Sequence, residues 1–162
     1  MKIIFLDIDG VIATEESSTM KWHDEFSYPF DATCVSILNR ILKKTSAEIV
    51  LTSDWRRAFN NDLEALNLLF KHNGVIKSPI DVTTDFGKDR NKEISEYIYK
   101  HSDKISSFLI FDDMDLKIHS LRFIRTNINE GLKQKGVEEK AIEILNSKMK
   151  YFVNSIESKV LK

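Results

Sequence analysis

Cysteine is almost absent from this chain. Its 162 residues include one, Cys34, so an intrachain disulfide and a cysteine-rich zinc site are both excluded. Proline is nearly as scarce, with two residues, and glycine contributes five. That excludes collagen-like and Pro/Gly-rich low-complexity architectures. Net charge is also missing: 24 Lys and Arg against 25 Asp and Glu leave a formal charge of −1. No global basic field is available to gather nucleic acid, although a local patch stays open. No apolar run approaches the length of a membrane span. The apolar start is too short for a secretory signal and is cut by Asp7 and Asp9. No G-x-x-x-x-G-K-[ST] phosphate loop occurs. These absences lead to the expectation of a soluble, cytoplasmic protein, folded as one domain over residues 1–162 without disulfides or a structural metal.

What is present is organised around the first strand. Ile3 to Leu6 is a continuous apolar run, as in a strand buried on both faces of a parallel sheet. It ends in Asp7, with Asp9 two residues on and Gly10 supplying a tight turn. A carboxylate at the carboxyl end of such a strand lies where open α/β folds place their sites. Two carboxylates this close repel, and a divalent cation or a shared proton is the usual remedy. The polar stretch from Ala13 to Tyr28, with Trp22 and Phe26, reads as a flap over the site or as a plain surface loop.

Asp31 is an N-cap signal for a helix through Lys44. Ala47 to Ser53 is a second buried strand. A helix is predicted from about Asn61 to His72, an extended piece from Val75 to Val82, and a helix from about Arg90 to His101. Ser107 to Phe111 is a third apolar strand, ending in Asp112 and Asp113; Leu121 to Thr126 is a short last strand, and 137–162 a C-terminal helical segment reaching about Val160. The alternation predicts a doubly wound, mostly parallel α/β fold.

Three predicted strands therefore end in the groups phosphoryl chemistry uses: Asp7 and Asp9, Thr52 and Ser53, Asp112 and Asp113. Lys88, Arg90 and Lys92 cluster at a helix start, where cations are disfavoured by the helix dipole, so a functional use is indicated. His23, His72, His101 and His119 have no metal-ligand spacing.

This pattern resembles the haloacid dehalogenase (HAD) superfamily of aspartate-dependent phosphohydrolases. Asp7-Ile8-Asp9-Gly10-Val11 resembles its first motif, Thr52 its second, one of Lys88, Arg90 and Lys92 its third, and Asp112-Asp113 its acidic fourth. Phe30 to Val35, Leu38 to Ile41, Thr52-Ser53-Asp54-Trp55-Arg56, Asp81-Val82-Thr83, Arg90 with Glu93-Ile94, and Gly131-Leu132 are similar to the small HAD domains of Swiss Army Knife RNA repair proteins.

The resemblance implies a HAD-like fold with no substantial cap domain, and roles for the residues that match. Asp7 would be the nucleophile, Asp9 the acid and base, and Thr52 a donor to a phosphoryl oxygen. Arg90 would be the basic residue, with Lys88 the alternative and Lys92 third. Ser53, Arg56 and Gly10 would bind substrate. Mg²⁺ would be held by Asp7, by Asp9 through its backbone carbonyl, and by Asp113, with Asp112 behind it; hard oxygen ligands suit that ion.

The two gaps where such proteins insert a cap, Ile12 to Ala47 and Arg57 to Lys88, are too short for an independent core. An open site must draw affinity from a larger substrate. Arg56, Arg57 and the Lys88–Lys92 cluster are the cations available to a nucleic-acid backbone. The expected function is Mg²⁺-dependent phosphomonoester hydrolysis on phosphorylated polynucleotide ends, with no membrane association and no obligate protein partner. A small-molecule nucleotide phosphatase is the alternative. A receiver-like phospho-accepting domain using Asp54 is a third reading, although Asp7-x-Asp9-Gly10 is not the receiver pattern.

Overall fold

The structure is a computed structural model and describes residues 1–19, 29–87, 89–117 and 120–147. Lys88, His23, His119, most of the expected flap and everything after Ser147 lie outside the described residues.

The chain runs β1 (Lys2–Leu6), α1 (Glu15–Ser18), α2 (Ala32–Thr45), β2 (Glu48–Leu51), α3 (Trp55–Ala58), α4 (Leu63–His72), β3 (Pro79–Val82), α5 (Arg90–Lys100), β4 (Ser107–Asp112), β5 (Phe123–Arg125) and α6 (Val137–Asn146). Two short 3₁₀ turns, Ser120–Arg122 and Gly131–Lys133, flank β5. The five strands form one parallel sheet in the order β3-β2-β1-β4-β5. This is the doubly wound, parallel α/β arrangement that the alternating pattern predicts.

β1 occupies the centre, with Ile3 opposite Glu48 of β2 on one side and Phe108 of β4 on the other. A strand paired on both edges and covered on both faces has to be apolar throughout. Successive side chains point to opposite faces, and the core divides accordingly. Ile4, Leu6, Ile49, Leu51, Leu109 and Phe111 pack with the apolar stripes of α2, α4 and α6. Ile3, Phe5, Val50, Phe108 and Ile110 pack on the other face with Ile94, Tyr97 and Ile98 of α5.

Aspartates start three of the helices. Asp31, Asp62 and Asp89 each accept backbone N–H groups of the first turn, at 2.9 Å to Thr33, 2.9 Å to Glu64 and 3.0 Å to Lys92. A side-chain acceptor there satisfies donors that no helical carbonyl can reach.

Several boundaries differ from the sequence expectation. α4 starts at Leu63 rather than Asn61, since Asp62 caps it. The extended piece narrows to Pro79–Val82, and its pairing with β2 shifts register between Ile49 and Val50. α1 is a single turn within the stretch read as a flap or surface loop, and α3 is a single turn where no element was predicted. α6 stops at Asn146, because Ser147 turns to φ −75°, ψ 138°; the rest of the segment expected to be helical to about Val160 lies outside the described residues. No helix among the described residues is long and apolar enough to cross a membrane.

Candidate active site

Each strand end is held by one further ladder bond beyond the strand. Asp7 N donates to Phe111 O at 3.0 Å, Thr52 N to Leu6 O at 2.9 Å, Thr83 N to Leu51 O at 3.0 Å and Thr126 N to Asp112 O at 3.0 Å. The sheet thus fixes the residues just past its carboxyl edge, and their side chains gather above β1, β2 and β4.

Asp7 is buried, and its Oδ1 accepts the Ile8 N–H at 2.8 Å. Asp7, Asp112 and Asp113 each bring a carboxylate oxygen within 4.8 Å of the others. Repulsion inside this group shows in its acidities. Burial, and then the Asp7 charge, push Asp112 up to about 7 against the opposing pull of Arg90 and the Met114 amide. Burial and the Asp7 charge also raise Asp113. A divalent cation is what such a set of hard oxygens fits, since it removes the repulsion that burial magnifies.

The cation the fold itself supplies is Arg90. Its Nη1 stands 2.7 Å from Asp112 Oδ2 and 3.5 Å from Asp7 Oδ2. Burial opposes its charge, but Asp7, Asp112, Glu93 and Asp54 together hold the guanidinium more firmly protonated than usual. Lys92, by contrast, lies over the Phe86 ring at 4.6 Å. Of the basic cluster, Arg90 is the member the described residues bring to the aspartates.

β1 stops at Leu6, and the chain turns sharply instead of continuing extended to Asp9. The carbonyl of Ile8 accepts from Val11, Ile12 and Ala13. Gly10 has φ +70°, and a Cβ there would stand 2.7 Å from Asp113 Cβ, so glycine is needed for both turn and contact. Its N–H donates to Ala13 O at 2.8 Å. The expectation that Gly10 binds substrate is corrected: its amide is spent inside the turn, and its role is to let Asp113 close on the loop.

Asp9 projects to solvent, and its Oδ2 accepts the Trp55 indole N–H at 2.7 Å. Desolvation and the charges of Asp7, Asp113 and Asp54 raise its pKa despite that bond. This partner was missed in the sequence, because a contact between residues 46 apart leaves no local signal. A small cleft beside Asp9 is lined by Ala13, Thr14, Pro29, Trp55 and Ile128.

Thr52 is fully buried, yet its hydroxyl has no hydrogen-bond partner among the described residues. A buried donor left unused at a site edge is costly unless a ligand satisfies it. Ser53 Oγ accepts the Trp55 N–H at 3.3 Å.

Arg56 is the second correction. It was expected to meet a phosphate or a polynucleotide backbone. Its side chain is 0% exposed, ion-paired to Glu93 at 2.8 Å, and its Nη1 donates to the carbonyls of Thr52 and Ser53. Arg57 is half-free at best: its guanidinium is shared between Asp85 at 2.6 Å and Asp54 at 2.8 Å. That pairing also occupies the aspartate of the receiver reading.

Glu93 was likewise missed, although a signal existed. Arg90, Glu93, Ile94, Tyr97 and Ile98 recur at i, i+3, i+4, i+7 and i+8, and all five are buried. The apolar-face spacing thus carried two charged residues inward with it.

With the geometry in place, comparison with known families is decisive. The sequence model of the HAD domain in Swiss Army Knife RNA repair proteins matches residues 3–137. The chain belongs to this family. Membership makes it a HAD-type phosphohydrolase domain, in a superfamily that generally uses Mg²⁺, and its acidic triad is Asp7, Asp112 and Asp113. No curated protein and no solved structure matches the chain. The matched span of this HAD domain begins at the second residue of β1, includes β2 to β5 and α1 to α5, and ends at the first residue of α6.

Proposed function

We propose that this HAD domain hydrolyses phosphomonoesters, with Mg²⁺, through an aspartyl-phosphate on Asp7. The observation that carries the reading is the meeting of Asp7, Asp112, Asp113 and Arg90 beside the unsatisfied Thr52 hydroxyl at one sheet edge.

In this mechanism an Asp7 oxygen attacks phosphorus, and the P–O bond to the leaving group breaks as the new one forms. Asp9 gives its proton to the leaving oxygen. It then takes a proton from the water that attacks the phosphoaspartate, whose P–O bond to Asp7 breaks to release orthophosphate. Thr52 and Arg90 hold the phosphoryl oxygens, and Arg90 offsets the negative charge that builds there beside Asp7. Asp7, Asp113 and the Asp9 carbonyl, with Asp112 behind them, would hold Mg²⁺, which supplies charge neutralisation to the phosphate when bound.

For the substrate we infer a phosphorylated polynucleotide end, on the strength of the RNA repair proteins in which the family's domain occurs. A second reading has its own support. Arg56 is sealed in, and Arg57 is engaged by two carboxylates, so neither can follow a phosphate backbone, and a nucleotide-sized substrate is favoured. The deciding comparison is kcat/KM for a 3′-phosphorylated oligonucleotide against the matching mononucleotide at two salt concentrations. Preference for the oligonucleotide that fades with salt supports the first reading. Equal or better use of the mononucleotide without a salt effect supports the second. For the mechanism itself, a beryllium fluoride adduct should form on Asp7; an adduct on Asp54 would overturn the assignment.

A further inference from the structure

Two of the most deeply buried charges, Arg56 and Glu93, pair with each other rather than with the aspartates. Glu93 is 1% exposed, and three guanidinium groups surround its carboxylate: Arg56 at 2.8 Å, Arg57 at 3.7 Å and Arg90 at 3.7 Å. The Phe86 N–H also donates to its Oε1 at 3.3 Å. Arg56, with no exposed side-chain surface, donates from Nη1 to the Thr52 and Ser53 carbonyls, while its Nε has no hydrogen-bond partner among the described residues. A buried ion pair of this kind adds little to stability, since apolar residues of similar volume serve as well or better. Its placement needs another reason.

The connections supply one. Glu93 Oε2 stands 3.7 Å from Arg90 Nε, within ion-pair range but without a hydrogen bond, on the edge of the guanidinium away from Nη1, which faces Asp112 and Asp7. Through Arg56 the same carboxylate is tied to the peptide that carries Thr52. A chain of buried polar contacts therefore spans from the end of β2 to the first turn of α5. It links the two groups assigned above to the phosphoryl oxygens.

We propose that Glu93, anchored by Arg56, is a positioning residue that fixes the Arg90 guanidinium relative to Thr52 and Asp7. This rests on the reading of Arg90 and Thr52 as phosphoryl ligands. A buried carboxylate facing its back edge biases a planar fork toward one orientation, and small misplacements of such a group are expensive in rate. Glu93 touches no substrate in this scheme; it acts through Arg90.

The test is a double-mutant cycle of Glu93→Gln and Arg90→Met, read by kcat on an aryl phosphate with Mg²⁺ and by orthophosphate affinity in calorimetry. Glu93→Gln should lower kcat by roughly 10–100-fold, as loss of an orienting partner does elsewhere. Arg90→Met should lower it at least as far, and the double variant should match Arg90→Met alone, since residues in one network are non-additive. Multiplicative losses, or wild-type kcat and orthophosphate affinity in Glu93→Gln, would overturn the proposal and leave the hydrolase reading intact. If Glu93→Gln does not fold, Arg56→Met/Glu93→Met replaces it, because the apolar pair removes both buried charges together. That variant should melt near wild type and still lose kcat; a folded, fully active one overturns the proposal. A wild type that binds orthophosphate with the same coupling but turns nothing over would overturn the hydrolase reading and keep the positioning role. A wild type that neither binds nor turns over would overturn both.

Discussion

Asp31 and Asp112 are both buried aspartates with a cation close by, Lys133 at 2.6 Å and Arg90 at 2.7 Å. Their acidities nevertheless move in opposite directions. For Asp31, burial opposes the charge, but hydrogen bonds from Lys133, the Cys34 amide and Thr14 more than offset it, and its pKa falls. For Asp112, burial acts with the charge of Asp7, and its pKa rises to about 7. The cation is common to both, so the difference lies in the deeper burial of Asp112 and in the remaining neighbours. Asp31 is ringed by donors and closes the start of α2, whereas Asp112 is set among its own kind. A carboxylate of the first sort is a fastening, and one of the second sort is a receptor for positive charge.

The largest expected effect sharpens the second half of that contrast. Asp7→Asn should abolish turnover by at least ~10³-fold while leaving the fold intact, measured by phosphate release alongside a thermal melt. Near-wild-type turnover in a folded variant would remove Asp7 from the chemistry.

Exchanging the two buried aspartates tests the contrast directly. Asp112→Asn should cost roughly 10–100-fold in turnover without lowering the melting temperature in chelator, because it relieves repulsion. Asp31→Asn should leave kcat close to wild type and cost about 2 kcal/mol of stability, from a weakened cap and charged hydrogen bonds. Equal losses of activity in both variants would dissolve the distinction.

Magnesium gives a smaller signal. Adding it in place of chelator should stabilise the protein by about 1–3 kcal/mol through binding to the native state alone. Asp31→Asn should keep that increment and Asp112→Asn should lose most of it. A melt indifferent to Mg²⁺ in the wild type would argue against a cation site at the triad.

The smallest effect is in pH. Asp31 has a folded pKa below its ordinary value of 3.8, so the unfolded chain takes up the proton first. Its contribution is complete above that ordinary value and disappears as pH falls through the lower folded one. The gap between wild type and Asp31→Asn in urea melts should therefore be constant from pH 7 to 5 and shrink below pH 4. A gap unchanged at pH 2.5 would mean that the charge of Asp31 contributes nothing.

The sheet and its carboxyl edge were legible because buried parallel strands leave a plain record. Ile3–Leu6, Ile49–Leu51 and Phe108–Phe111 are unbroken apolar runs, and a polar residue directly after each can only stand at the edge. The chain beyond each edge was less legible. Arg56 follows a strand and adjoins Arg57, as surface charge commonly does, and only the tertiary fold shows that one is sealed in while the other is not. Gly10 was recognised as a turn residue, yet the use of its amide depends on where Ala13 folds back. The Asp9–Trp55 bond joins two loops whose approach is set by strand order, which local patterns do not encode.

The central position of β1 has a consequence for how the protein is made. Its partners are Glu48–Leu51 and, more than a hundred positions after Ile3, Ser107–Asp112. At ~5–20 residues per second, roughly 5–20 s separate synthesis of the first strand from that of its second neighbour. Through that interval the strand bearing Asp7 has an open edge and an apolar sequence, the combination that recruits other chains. The strand that carries Asp7 is thus one that nascent-chain chaperones must shield.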